Sequence, residues 1–183
     1  LIPEGAQQPR LELTNTPARK VEVQSPAIVE ATDENSKIDT MEVKDDLTIK
    51  GDKTAVDAIT VPAGAAPEVN VKDGSKVDKI EAKGTTTVKT TSDSVVGTIA
   101  AESDVNVSGN INAITVPETA NDSVNIAIGS GTTVPEVTVN SDKGTTISGE
   151  GTVSNIAASS DAAKDSISGD KVNQSAIADH VHT

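Results

Sequence analysis

Seven times between residues 38 and 158 the sequence repeats one six-residue phrase. An apolar residue is followed by two polar or small residues, a second apolar residue, one more position, and a closing apolar residue or alanine. The copies are Ile38-x-x-Met41-x-Val43, Val56-x-x-Ile59-x-Val61, Val77-x-x-Ile80-x-Ala82, Val96-x-x-Ile99-x-Ala101, Ile111-x-x-Ile114-x-Val116, Val134-x-x-Val137-x-Val139 and Val153-x-x-Ile156-x-Ala158. Their starts are 18, 21, 19, 15, 23 and 19 residues apart, near the short end of solenoid periods. In a strand, side chains alternate between faces. Ile59 and Val61 therefore share a face, while Val56, three residues earlier, faces the other way unless the chain bends between them. A strand with a built-in corner, repeated at this period, describes a chain coiling around an axis.

A shorter strand signal lies between successive copies: Leu47-x-Ile49, Val69-x-Val71, Thr86-x-Val88, Val105-x-Val107, Val124-x-Ile126 and Thr145-x-Ile147. Polar or glycine-bearing turns such as Asp73-Gly74-Ser75 and Ser108-Gly109-Asn110 follow most of them. Val and Ile number 37 against four Leu, a bias toward strands because β-branched side chains suit a pleated surface. The reading is an all-β fold, a parallel β-solenoid (β-helix) of about seven coils over residues 37–158. At ~4.8 Å per coil the stack would be roughly 30–35 Å long. The expected core includes Ile59, Val61, Ile80, Ile99, Ile114, Val116, Val137, Val139 and Ile156. The chain has no Phe, Tyr, Trp or Cys. A solenoid tolerates this because each coil buries only a narrow stripe against its neighbours.

Residues 1–36 carry Pro3, Pro9, Pro17 and Pro26 among short apolar alternations. They read as an extended arm with strand-forming patches and no core of their own. Its apolar residues Leu11, Leu13, Val21, Val23 and Ile28 are the expected subunit contact, added as a strand to a neighbouring copy. Residues 159–183 read as an irregular C-terminal coil, cap or tail. No amphipathic capping helix is evident at either flank. The chain opens at Leu1 without a basic-plus-apolar leader, as a processed chain or a fragment would.

Net charge is −13 and the isoelectric point about 4.4. Phosphate recognition needs a basic face and base stacking needs aromatic rings, so nucleic acid is excluded as a partner. No apolar run reaches the ~18 residues of a membrane span. Without cysteine there are no disulfides and no thiolate metal sites.

The stretch Thr145-Thr146-Ile147-Ser148-Gly149-Glu150-Gly151-Thr152-Val153-Ser154-Asn155-Ile156-Ala157-Ala158 resembles the ISGEGTV-x-x-I repeats of large secreted Gram-positive surface proteins, which often bear S-layer-homology modules. Val69 to Ile80 is similar in style. The resemblance implies a bacterial cell-surface or extracellular setting and brings no catalytic residues. The S-layer-homology module itself is not in this sequence.

Candidate chemistry is sparse. His180 and His182 would share a face of an extended strand, with Asp179 as a third metal ligand, but a solvated tail is the simpler reading. Acidic turns at Asp33-Glu34, Asp45-Asp46 and Asp142 would bind calcium weakly at most, since no Gly-Gly-x-Gly-x-Asp or EF-hand loop is present. The threonines Thr85, Thr86, Thr87, Thr90 and Thr91 do not recur coil after coil, as an ice-binding ladder requires. Asn106, Asn121 and Asn173 head Asn-x-Ser triplets and read as unmodified turns. Without aromatic sugar platforms or a paired acid and base, no enzyme is expected and no cofactor. The expectation is a structural extracellular protein, a homo-oligomer or homopolymer forming a surface filament or layer. The alternative is an adhesin presenting its loops to a glycan or host protein.

Overall fold

The computed structural model describes residues 8–172 and Ile177. The chain winds into a parallel β-solenoid of eight turns with two ladders. The short-rung sheet contains β1 (Arg10–Leu13), β3 (Ala27–Ala31), β5 (Leu47–Lys50), β7 (Glu68–Lys72), β9 (Thr86–Thr90), β11 (Val105–Ser108), β13 (Val124–Ile128), β15 (Thr145–Gly149) and β17 (Ile167–Ser168). The long-rung sheet contains β2 (Ala18–Val23), β4 (Ile38–Val43), β6 (Ala55–Val61), β8 (Lys76–Ala82), β10 (Val95–Ala101), β12 (Ile111–Val116), β14 (Thr133–Val139) and β16 (Thr152–Ala158). Each turn contributes one strand to each sheet. A five-residue helix, α1 (Asp161–Asp165), lies between β16 and β17.

The six-residue phrase is the long rung, and the corner it requires is present. Val56, Ile59 and Val61 are all at most 1% exposed although three and two residues apart. The pairing between rungs is interrupted at the second position of the phrase, between Asp57 and Asp78 and again between Asp78 and Gly97. Pro135 occupies this position in β14, where an interrupted ladder asks for no N–H. First, fourth and sixth positions then stack like on like, as in Val56 on Val77, Ile59 on Ile80 and Val61 on Ala82. Eight of the nine expected core residues are fully buried; Ile156, on the outermost long rung, is half-buried.

The N-terminal segment is the main correction. Residues 10–31 are not an arm: β1, β2 and β3 are rungs of the same stack, paired in parallel with β3, β4 and β5. This adds a coil to the seven read from sequence. Ala18-x-x-Val21-x-Val23 is an eighth copy of the phrase, obscured because alanine stands where the others have Val or Ile. Three of the four prolines that suggested an arm sit at corners instead, and Pro3 lies outside the described residues. Pro9, Pro17 and Pro26 each immediately precede a strand, where a fixed φ turns the chain and no ladder donor is lost.

The short rungs hold a looser register. By motif, Val69 should stack on Thr86 and Val105 on Val124. The observed partners are Val69 with Val88 and Val105 with Ile126, a slip of two at each step. A shift of two keeps every side chain on its own face, whereas a shift of one would turn it over. Both slips fall where a three-residue link, 83–85 or 102–104, neighbours a longer one, 62–67 or 117–123.

Candidate interaction surfaces

The buried polar side chains are all Ser or Thr, and most form one column. Two residues before the first apolar position of each phrase stand Thr16, Ser36, Thr54, Ser75, Ser94, Gly109, Thr132 and Gly151. The hydroxyls reach across the corner to the preceding coil. Ser36 Oγ accepts the Thr16 N–H at 3.1 Å, Thr54 Oγ1 the Ala31 N–H at 2.8 Å and Thr132 Oγ1 the Gly109 N–H at 2.9 Å. Ser75 donates to the Ile49 carbonyl at 3.1 Å. Backbone groups that leave the ladders at the turn are thereby satisfied. At the two glycine copies the space is already occupied. A Cβ on Gly109, whose φ is +98°, would lie 2.2 Å from Thr90 Oγ1, and one on Gly151 would lie 2.3 Å from Ile128 Cγ2. A reading by apolar pattern alone misses this Ser/Thr/Gly position, although it is legible in every repeat and extends the phrase by two residues. Its chemistry builds the corner.

The outer face of the short-rung sheet changes character along the axis. Over the N-terminal coils it carries ion pairs: Arg10 with Glu30, Lys50 with Glu30 at 3.8 Å and Lys89 with Glu68 at 2.7 Å. Lys89 and the Asn70 amide hold the Glu68 carboxyl below its ordinary range. From β11 onward the outward residues of the rungs are Asn106, Ser108, Asn125, Ala127, Thr146, Ser148 and Ser168, without a charge. A shallow groove of about 340 Å³ crosses the boundary, lined among others by Lys89, Asn106, Ser108, Ala127 and Gly149. Thr87 stands in a column with Glu68, Asn106 and Ala127, so the threonines build no continuous outward ladder.

On the long-rung side, Asp39, Asp57 and Asp78 occupy the bend position of three successive coils. Lys37 lies among them, 2.7 Å from Asp57, whose hydrogen bond and charge raise the lysine pKa. Among the described residues no three His, Cys, Asp or Glu side chains are placed to hold a metal ion. His180, His182 and Asp179 lie outside the described residues, as does Asn173; Asn106 and Asn121 are exposed. No described helix is long and apolar enough to cross a membrane.

The two ends differ. At the C-terminal end Val153 and Ile156 of β16 are half-buried, Val172 packs against the core, and Ile177 is 4% exposed within it. Helix α1, capped by the Ser160 hydroxyl on the Ala163 N–H at 3.1 Å, seats Ala163 in the core. No helix was expected here, and one turn is too short to display a helical period. At the N-terminal end β1 and β2 are the outermost rungs among the described residues. Of the five residues expected to contact a neighbour, Leu13 and Val23 are taken into this chain's own core. Ile28 points outward from β3 and is half-buried. Leu11 and Val21 face inward at the end of the stack, Leu11 at 37% exposure as the exposed large apolar residue among those described. Both arginines of the chain, Arg10 and Arg19, stand on this coil.

Comparison with known protein families, curated proteins and solved structures finds no match to this chain.

Proposed function

We propose that the chain is a structural, non-catalytic rod subunit of a bacterial cell surface or extracellular layer, and that it self-associates. The observation that carries this reading is the N-terminal end. There Leu11 is left exposed and two rungs carry ladder groups with no described strand beyond them, and such an edge templates further pairing. The rest of the molecule supports the same reading. Most of its buried hydroxyls join coils at the corners, its outer faces are ion pairs, amides and hydroxyls, and its grooves are shallow and without aromatic rings. The surface setting rests on the resemblance of residues 145–158 and 69–80 to repeats of secreted Gram-positive proteins.

The test is electron microscopy and sedimentation of the purified chain over a wide concentration range. Rods that join into longer or layered assemblies support the proposal. Single short rods at every concentration would remove it and favour the adhesin, in which the groove beside Lys89 meets a glycan or protein.

A further inference from the structure

Among the described residues, the two outermost rungs at the N-terminal end share a charge pattern that reads the same in both directions once signs are exchanged. In β1 it is Arg10-Leu11-Glu12 and in β2 it is Lys20-Val21-Glu22. In each, an inward apolar residue is flanked by an outward cation before it and an outward anion after it. The flanking side chains are exposed, from 46% for Glu22 to 56% for Lys20. We infer that this end binds a second copy of the chain about a two-fold axis, β1 against β1 and β2 against β2, both antiparallel.

The backbone suits this pairing. Throughout the stack an outward residue gives its N–H to the preceding coil, as Lys44 does to Val23, Lys83 to Val61 and Asn140 to Val116. By the same rule Lys20 and Glu22, and Arg10 and Glu12, aim their N–H groups past the N-terminal end. In an antiparallel pair centred on Val21, Lys20 of one copy lies opposite Glu22 of the other. Each such pair exchanges two hydrogen bonds, while the two Val21 residues form the close, non-hydrogen-bonded pair. The pairing centred on Leu11 sets Arg10 opposite Glu12 in the same way. One axis running from sheet to sheet generates both pairings, because rotation about it reverses strand direction and stack direction together. The inward stripes then meet, Leu11 on Leu11 and Val21 on Val21, and the charges complement across the junction. A two-fold contact uses one patch twice and closes it. The product is a double rod of about 75 Å at the usual strand spacing.

This rests on the self-association reading and names its first contact. The chain has no cysteine, so a single introduced thiol reports its neighbour. Val21→Cys is expected to form a disulfide-linked dimer on mild oxidation, since the Cα separation of a non-hydrogen-bonded pair lies within disulfide reach. Leu11→Cys should do the same and Ser154→Cys, at the other end, should not. In sedimentation Glu22→Lys, which sets like charges opposite one another, should weaken dimerisation at least tenfold. Lys20→Glu combined with Glu22→Lys should restore it, with circular dichroism unchanged throughout. If, in a mixture of the two variants, Val21→Cys instead couples to Ile156→Cys, the junction is head-to-tail and the two-fold is overturned while self-association stands. Dimers indifferent to Glu22→Lys overturn it likewise. A monomer at every concentration overturns both.

Discussion

The two ladders of this solenoid are made from the same few residue types, yet one holds its register for eight coils and the other slips twice. The long rung buries three side chains on either side of a bend, so Val56, Ile59 and Val61 grip the next coil at three points not on one line. Sliding such a rung would drag the corner out of its column. The short rung is straight, with two or three inward residues, and sliding by two residues only puts Val88 where Thr86 would stand and Ile126 where Val124 would. Register is thus set by the corner more than by hydrophobicity.

The largest effect should follow from breaking the rigid ladder. Ile114→Asp puts an unpaired charge among fully buried side chains and should cost more than about 4 kcal/mol, removing cooperative unfolding. Truncation compares the ladders directly. Ile114→Ala should cost about 3–4 kcal/mol and Ile126→Ala about 2–3, because a sheet that can slide can also collapse into a cavity. Urea midpoints in the reverse order would break the comparison. Next comes the corner: Gly109→Ala combines a positive φ with an overlap on Thr90 and should cost about 2 kcal/mol, read from the same denaturation curves. A smaller change of opposite sign is expected at Thr145. Its buried hydroxyl has no partner, so Thr145→Val should stabilise by about 1 kcal/mol; a loss on thermal melting would show that the hydroxyl is used.

The smallest effect is a pH dependence at the charged half of the short-rung face. Glu68 is held below its ordinary value of 4.5 by Lys89. A carboxyl with a lowered folded pKa contributes stability that is present above its unfolded value and lost as pH falls through the folded one. At this exposed pair the contribution is small. Lys89→Ala should therefore leave stability nearly unchanged at pH 3 and lower it slightly at pH 7. A larger loss at pH 3 would reverse the assignment.

The fold was legible because its strongest signal is steric. Apolar residues three and then two apart can share a core only across a bend, and seven copies fix the period. The eighth escaped through one substitution, alanine at position 18, and through prolines that mark corners as readily as they break strands. The short-rung register was not legible because residues two apart look alike on either side of a slip. The candidate site was less legible still. The sequence singled out Leu11 and Val21, but only the stack separates them from Leu13 and Val23, which the chain keeps for itself. The sign-exchanging pattern around them has no meaning until both rungs are seen to be the outermost described ones.

The backbone hydrogen bonds of both ladders run along the stack, and each coil touches only the next. Pulled from its ends, such a rod bears load in series, so every interface feels the full force and the least cohesive one yields first. Coils should then peel away singly, each releasing about 19 residues of slack at the mean repeat spacing. Because the corner hydroxyls bridge the same interfaces as the ladders, tearing should begin at the coil with Gly151 at that position; at Gly109 the neighbouring Asn110 bonds the preceding coil instead. Pressed from the side, the same rod is braced by two sheets and a bend. Its weakest direction is therefore along its own axis, across the interfaces between coils.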